Sequence, residues 1–275
     1  MKTVGIAGLG LIGGSMALAL KAAGYTVLGL NRNPEVMKAA EAAGIEPLIP
    51  DDFHRPDIWV LGFPPDVVIS FLEQKAAKMR SGCVVTEVCG VKKAIVGPCQ
   101  RLCEAAGLRF VGGHPMAGKE VSGFAAADPK LFVGASYILT PVAGTDEAAL
   151  EEMKALALDL GCGKITITDP ETHDRMIAFT SQLPHVLAGA YVRSPQSKNH
   201  SGYSAGSYRD VSRVAPLDET LWNRLFILNA GPLCDEIDLL IAHLKECRDA
   251  VAAGDADKLQ AVLRAGKQAK IDADK

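Results

Sequence analysis

The run Val4-Gly5-Ile6-Ala7-Gly8-Leu9-Gly10-Leu11-Ile12-Gly13-Gly14-Ser15 decides the fold. The short apolar stretch Thr3–Ala7 reads as a strand, and the small and apolar residues of Ile12–Ala23 read as a helix. Between them Gly8, Gly10 and Gly13 keep a G-x-G-x-x-G spacing. Gly8 permits a tight turn, Gly10 lets backbone approach a pyrophosphate, and Gly13 lets helix and strand pack closely. The helix start at Leu11 and Ile12 offers N–H groups and a positive dipole end to an anion. Alone, such spacing is weak evidence. Set between a strand and a helix at the head of a βαβ unit, it is a dinucleotide-binding fingerprint. The opening also resembles a secretory leader, but five glycines between Gly5 and Gly14 interrupt any apolar helix.

Outward from this turn, β-rich runs alternate with helical segments. Strands are predicted at Thr3–Ala7, Thr26–Leu30, Ile58–Leu61, Val84–Glu87, Arg109–Val111, Ser136–Thr140 and Lys164–Thr168. Helices are predicted over Ile12–Ala23, Pro34–Ala43, Asp66–Met79, Lys92–Ala106 and Asp146–Leu160. Buried strands separated by amphipathic helices imply a largely parallel sheet covered on both faces. After Asp169-Pro170 helical periodicity takes over, across Glu171–Val192, Asp218–Ala253 and Asp255–Ile271, with a polar loop expected at Arg193–Arg209. The expected architecture is therefore a Rossmann-type doubly wound α/β domain over 1–168, followed by an all-helical domain over 169–275. The apolar stretch Trp222, Leu225, Phe226, Leu233, Ile237, Leu240, Ile241 and Leu244 is more than a small helical domain can cover. A homodimer through this region is expected.

Composition narrows the class. The chain has 275 residues, of which 48% are hydrophobic, and a net charge of −3 with no clustered basic face, which argues against a nucleic-acid partner. No stretch reaches the ~20 apolar residues of a membrane span. Seven scattered cysteines imply reduced thiols in a cytoplasmic protein rather than a disulfide framework, and Cys99 and Cys103 lack the partners a metal site needs.

At the end of the second strand a carboxylate would bind the adenosine ribose of NAD. Gly29-Leu30-Asn31-Arg32 stands there instead. Without the negative charge a 2′-phosphate is not repelled, and Arg32 can pair with it. The cofactor is NAD or NADP, and Asn31-Arg32 leans the choice toward NADP.

A cofactor fold does not name a substrate. Four later segments are more informative: Thr86-Glu87-Val88-Cys89-Gly90-Val91-Lys92, Gly113-His114-Pro115-Met116-Ala117-Gly118, Ser181-Gln182-Leu183-Pro184-His185 and Ser207-Tyr208-Arg209-Asp210-Val211-Ser212-Arg213. In order and spacing they resemble the motifs of the prephenate dehydrogenase family of tyrosine biosynthesis, over nearly the whole chain. The resemblance implies oxidative decarboxylation of prephenate to 4-hydroxyphenylpyruvate, with arogenate as the rival substrate, and no regulatory domain beyond the helical region. It also implies that His114 accepts a hydrogen bond from the substrate's ring hydroxyl, while His185 and Arg213 bind substrate.

The chemistry agrees. Expected on a Gly-rich loop after a strand, His114 is a neutral imidazole suited to withdraw a hydroxyl proton near neutral pH. Arg213 can hold a carboxylate in a planar fork, with Asp210 and Glu120 as groups that orient it. Trp222 is either a neighbour of this site or core. Many members of the family carry a serine where Gly90 stands, at a substrate-binding position, so here backbone or water replaces that hydroxyl. Cys89 is expected beside the cofactor as an oxidisable thiol. A β-hydroxyacid-type dehydrogenase shares the glycine turn but relies on a lysine or other acid on the first helix of its second domain, and Ala178–Val192 has no lysine. A catalytically silent nucleotide sensor would leave His114, His185 and Arg213 without a role.

Overall fold

A computed structural model describes residues 2–274. The amino-terminal part runs β1 (Thr3–Ala7), α1 (Leu11–Ala22), β2 (Thr26–Leu30), α2 (Pro34–Ala42), β3 (Glu46–Pro47), β4 (Ile58–Leu61), α3 (Pro65–Lys75), β5 (Val84–Glu87), α4 (Val96–Ala105) and β6 (Arg109–Phe110). The six strands form one parallel sheet in the order β3-β2-β1-β4-β5-β6. All four residues of β4 are buried, as expected of a strand covered on both faces. One face packs Met16 and Leu20 of α1, and the other packs Val68 and Leu72 of α3 with Cys99 and Cys103 of α4. The order reverses between β1 and β4, which opens a crevice at the carboxyl ends of the strands where dinucleotides bind.

The remaining strands do not extend that sheet. β7 (Gly112–Pro115), β8 (Ser136–Thr140) and β9 (Lys164–Ile167) form a second sheet, with β7 antiparallel to β8 and β8 parallel to β9; α5 (Glu147–Asp159) lies between β8 and β9. β7 corrects the expected loop: His114 is a strand residue paired with Ile138. The strand escapes a propensity reading because it opens on two glycines. Their bare backbones are required, since a Cβ at Gly112 would lie 2.4 Å from Oγ1 of Thr140 and one at Gly113 2.8 Å from the Tyr137 hydroxyl oxygen.

The helical part comprises α6 (Pro170–Ile177), α7 (Leu183–Val192), α8 (Gly206–Ser212), α9 (Glu219–Leu228), α10 (Ala230–Ala253) and α11 (Ala256–Ala273). Three expected elements are corrected here and in α4. The helix expected over Glu171–Val192 is interrupted by a π turn at Ala178–Gln182, where the Leu183 N–H reaches back to the Ala178 carbonyl. Pro184 has no N–H to continue an i→i−4 ladder. The segment Arg193–Arg209 contains a 3-10 stretch (Pro195–Asn199) and the start of α8, supported by the Tyr191–Tyr208 and His200–Tyr208 ring contacts. Finally, α4 starts at Val96 rather than Lys92; a turn precedes it, closed by the Ile95 N–H on the Lys92 carbonyl (3.1 Å), and the backbone N–H groups of Lys92 and Lys93 are held by Asp174 of α6. Among the described residues no helix is long and apolar enough to cross a membrane.

Candidate active site

The glycine turn sits at the switch between β1 and β4. Gly8 has φ +95°, and its N–H donates to the Leu30 carbonyl at the end of β2 (2.8 Å). A Cβ there would lie 2.5 Å from the Gly62 carbonyl oxygen, and one at Gly13 only 2.0 Å from that of Gly8. At Gly10 a Cβ would meet nothing within 4 Å, so this face of the turn is open. Gly10 is also the N-cap of α1; it supplies no side-chain acceptor, and the first turn, beginning Leu11-Ile12, has no acidic residue. Donors and dipole are thus left to an anionic ligand, and the residues present fit a dinucleotide.

At the end of β2, Asn31 accepts the Asn33 N–H through Oδ1 (2.9 Å), and Asn33 in turn caps α2. Arg32 is exposed. The carboxylate expected at the end of β2 is replaced by the Asn31 amide.

A second cluster lies past the carboxyl end of β5. The Glu87 carboxylate and Lys92 ammonium form a fully buried ion pair, with Nζ 2.6 and 2.8 Å from the two oxygens. Glu87 also accepts the Cys89 N–H (2.8 Å), which shapes the turn carrying Gly90. A Cβ at Gly90 would stand 3.9 Å from Nε2 of His114 and 3.6 Å from Cδ1 of Leu225, so β7 and α9 converge on this glycine. His114 is half-buried, and its Nδ1 lies 2.9 Å from Nε2 of His173. Burial first, then the Lys92 charge and His173, push the His114 imidazole well below its ordinary value, so it is neutral near pH 7.

His173 and Asp174 of α6 complete the cluster. His173 Nδ1 is 2.7 Å from Oδ1 of Asp174, which also accepts the Lys92 N–H (2.8 Å), while Oδ2 accepts the Lys93 N–H (2.9 Å). Asn229, buried between α9 and α10, donates to the Asp174 carbonyl (2.9 Å) and to Oε1 of Gln182 (2.7 Å). The sequence reading gave these residues no role. Polar residues inside an otherwise periodic helix were the available signal, but nothing in the sequence says that α6 docks under β5 and β7.

His185 lies on α7, donates from Nδ1 to the Ser181 carbonyl (2.8 Å), and stacks on Trp222 of α9 with centroids 3.7 Å apart. Trp222 is therefore a neighbour of this histidine rather than anonymous core. Arg213, at the end of α8, is paired with Glu120 of the segment after β7, and the two are exposed. Asp210 makes no such pair among the described residues. Among the described residues no hydrogen bond or ion pair joins Arg213 to His114 or His185; it lines an open cleft of about 440 Å³ with His200, Tyr208 and Arg209. Cys89 is buried and donates its thiol to the Phe63 carbonyl (3.3 Å). Burial and the neighbouring Glu87 push that thiol well up, which corrects the expectation of an oxidisable group.

Comparison with known proteins agrees with this fold. Residues 16–166 match the model of the prephenate dehydrogenase nucleotide-binding domain, and residues 169–265 match that of the prephenate dehydrogenase dimerization domain. A prephenate dehydrogenase of Lactococcus lactis is 32% identical over 279 residues, covering 98% of this chain and 76% of that protein. The solved prephenate dehydrogenase of A. aeolicus, in complex with hydroxyphenyl propionate and NAD+, superposes with a TM-score of 0.86 at 28% identity, covering 99% of this chain and 98% of that one. The arogenate dehydrogenase of Synechocystis superposes with a TM-score of 0.82 at 27% identity, covering 98% and 99%. With an intact glycine turn at Gly8 to Gly13 followed by both domain models matched in order, the chain is a nicotinamide-dependent dehydrogenase and belongs to the prephenate dehydrogenase family.

Proposed function

We propose that the protein catalyses the oxidative decarboxylation of prephenate to 4-hydroxyphenylpyruvate, with His114 as the general base. The observation that carries this reading is the position of His114 Nε2 beside the bare backbone of Gly90, at the end of β5 and under α9. That is the half of the crevice opposite Asn31, so one imidazole serves a ring bound between the two domains. A bound nicotinamide supplies the hydride acceptor. The substrate's ring hydroxyl gives its proton to His114 as its carbon is oxidised; the ring carboxylate leaves as CO₂, and the resulting phenolate oxygen takes the proton back. Aromatisation drives the sequence forward.

Substrate recognition is assigned to His185, held against Trp222, and to Arg213, whose exposed guanidinium exchanges Glu120 for a substrate carboxylate. At Gly90 the backbone N–H and water serve in place of a side-chain hydroxyl. In this reading residues 1–168 hold the cofactor through Gly8, Gly10, Leu11, Ile12, Gly13, Asn31 and Arg32, and residues 169–275 hold substrate and form a homodimer. The absent carboxylate at Asn31 and the exposed Arg32 support acceptance of NADP as well as NAD. The scattered, unpaired cysteines support a reducing, cytoplasmic setting.

The deciding experiment follows formation of reduced nicotinamide with prephenate and then arogenate, each with NAD+ and NADP+. Turnover of prephenate, with a higher kcat/KM for NADP+, is the expected result. Exclusive use of arogenate would replace the substrate, and a strong preference for NAD+ would overturn the role given to Arg32.

A further inference from the structure

We infer that His173 and Asp174 act as a positioning pair that fixes the tautomer of His114 and takes up part of the positive charge when His114 accepts a proton. This rests on the reading of His114 as the general base. The pair lies on α6, in the helical domain, behind the residue it serves. No side-chain atom of His173 reaches solvent, and it has one partner at each ring nitrogen, Asp174 at Nδ1 and His114 at Nε2.

Hydrogen-bond direction follows along the chain. Asp174 accepts from the N–H groups of Lys92 and Lys93, so its carboxylate is an anchored acceptor and the proton between it and His173 sits on Nδ1 of the imidazole. The neutral His173 then carries a lone pair on Nε2. Facing it at 2.9 Å, His114 must present Nδ1–H. That leaves the lone pair of His114 on Nε2, the atom beside Gly90. In the opposite tautomer two lone pairs would confront each other between the rings.

Charge follows the same path. The groups facing His114 are Lys92 and Glu87 from β5 and the turn after it, and His173 with Asp174 from α6. Glu87 is engaged by Lys92, and among the described residues no carboxylate hydrogen-bonds His114 directly. When the substrate hydroxyl transfers its proton to Nε2, the Nδ1 proton shifts toward Nε2 of His173. Positive charge is thereby drawn against Asp174. When the phenolate reclaims the Nε2 proton, the shift reverses and no net proton is consumed. Asp174 plays the orienting part that the buried carboxylate plays in a Ser-His-Asp triad, one imidazole further from the reacting atom.

Two measurements test the inference. Histidine-selective ¹⁵N NMR on the wild-type protein should show both His114 and His173 as Nδ1–H tautomers at neutral pH. An Nε2–H signal for His114, assigned by its loss in His114→Asn, overturns the inference with no mutant of the pair needed. His173→Phe keeps an aromatic ring but removes the acceptor. It should lower kcat by about 10²-fold, the lower end of a general base's contribution, with KM for substrate and cofactor within about twofold. His173→Gln, which retains an acceptor, should recover part of the loss. Wild-type kcat in His173→Phe, or an equal loss in the glutamine variant, overturns it as well. A mild His114→Asn would instead remove the base reading itself, so the two failures are separable.

Discussion

His114 and Gly90 meet where a side-chain base faces backbone stripped of any side chain. Replacing His114 by Asn removes the base while keeping the size of the side chain, and kcat is expected to fall by ~10²–10⁴-fold with cofactor affinity near wild type; a mild loss in steady-state assays would exclude it. The pH profile carries a sign. As the proposed base, His114 works only when neutral, so kcat/KM is expected to rise with pH through its pKa. Because burial and Lys92 push that pKa down, the acid limb should lie below the ordinary value of about 6.5, and a limb at or above it would assign the titration elsewhere. Gly90→Ser is expected to fold, since its Cβ meets Leu225 and His114 only at 3.6 and 3.9 Å, ordinary contact distances. A hydroxyl there gains a hydrogen bond of about 0.5–1.5 kcal/mol, so kcat/KM should rise roughly 2–10-fold; a fall would mean that the bare backbone is itself required. Arg213→Ala should chiefly raise KM for the substrate. Unchanged KM would leave the guanidinium as a partner of Glu120 alone.

Among the elements, the turn from β5 to α4 couples the two halves of the protein. Glu87 ends β5, Lys92 reaches back to it in full burial, and Asp174 of α6 takes the next two backbone N–H groups. The helical domain is thus fastened to the nucleotide-binding domain by the same residues that lie behind His114. Lys92→Met would leave the Glu87 carboxylate buried without its cation, a loss of about 3–5 kcal/mol. Denaturant unfolding measures it, and an unchanged midpoint at unchanged slope would show that the pair is structurally dispensable. The π turn has a comparable role. Pro184 breaks the regular ladder, and the altered rotation carries Gln182 inward to Asn229 while His185 reaches Trp222.

At the level of the whole molecule, α9, α10 and α11 leave a broad apolar surface in the single chain. Ile227 is 70% exposed, Ile241 56% and Leu244 55%. Isolated apolar residues at a surface are ordinary, but a series along two adjacent helices supports the proposed homodimer interface there. Light scattering should give the mass of a dimer for the wild-type protein. The double variant Ile241→Glu, Leu244→Glu places two charges on that surface and should shift the mass toward the monomer. A dimer unaffected by it would place the interface elsewhere.

By itself the sequence determined the elements whose physics is local: the strand–turn–helix at Gly8 to Gly13, the buried strands, the helical character after Pro170, and the candidate residues His114, His185 and Arg213. Glycine sterics and hydrophobic periodicity act over a few residues, so they can be read in order along the chain. Tertiary structure alone decided that Gly112 and Gly113 begin a strand, because their reason is a close approach to Thr140 and Tyr137 from other elements. It also decided that Arg193–Arg209 is partly helical, that Cys89 is shielded, and that Trp222 lies against His185. Above all it decided what stands behind His114. His173 and Asp174 are 59 and 60 residues further along the chain, and only docking of α6 beneath β5 and β7 brings them into hydrogen-bond distance. Such contacts depend on how independently formed elements pack, and no local pattern encodes that.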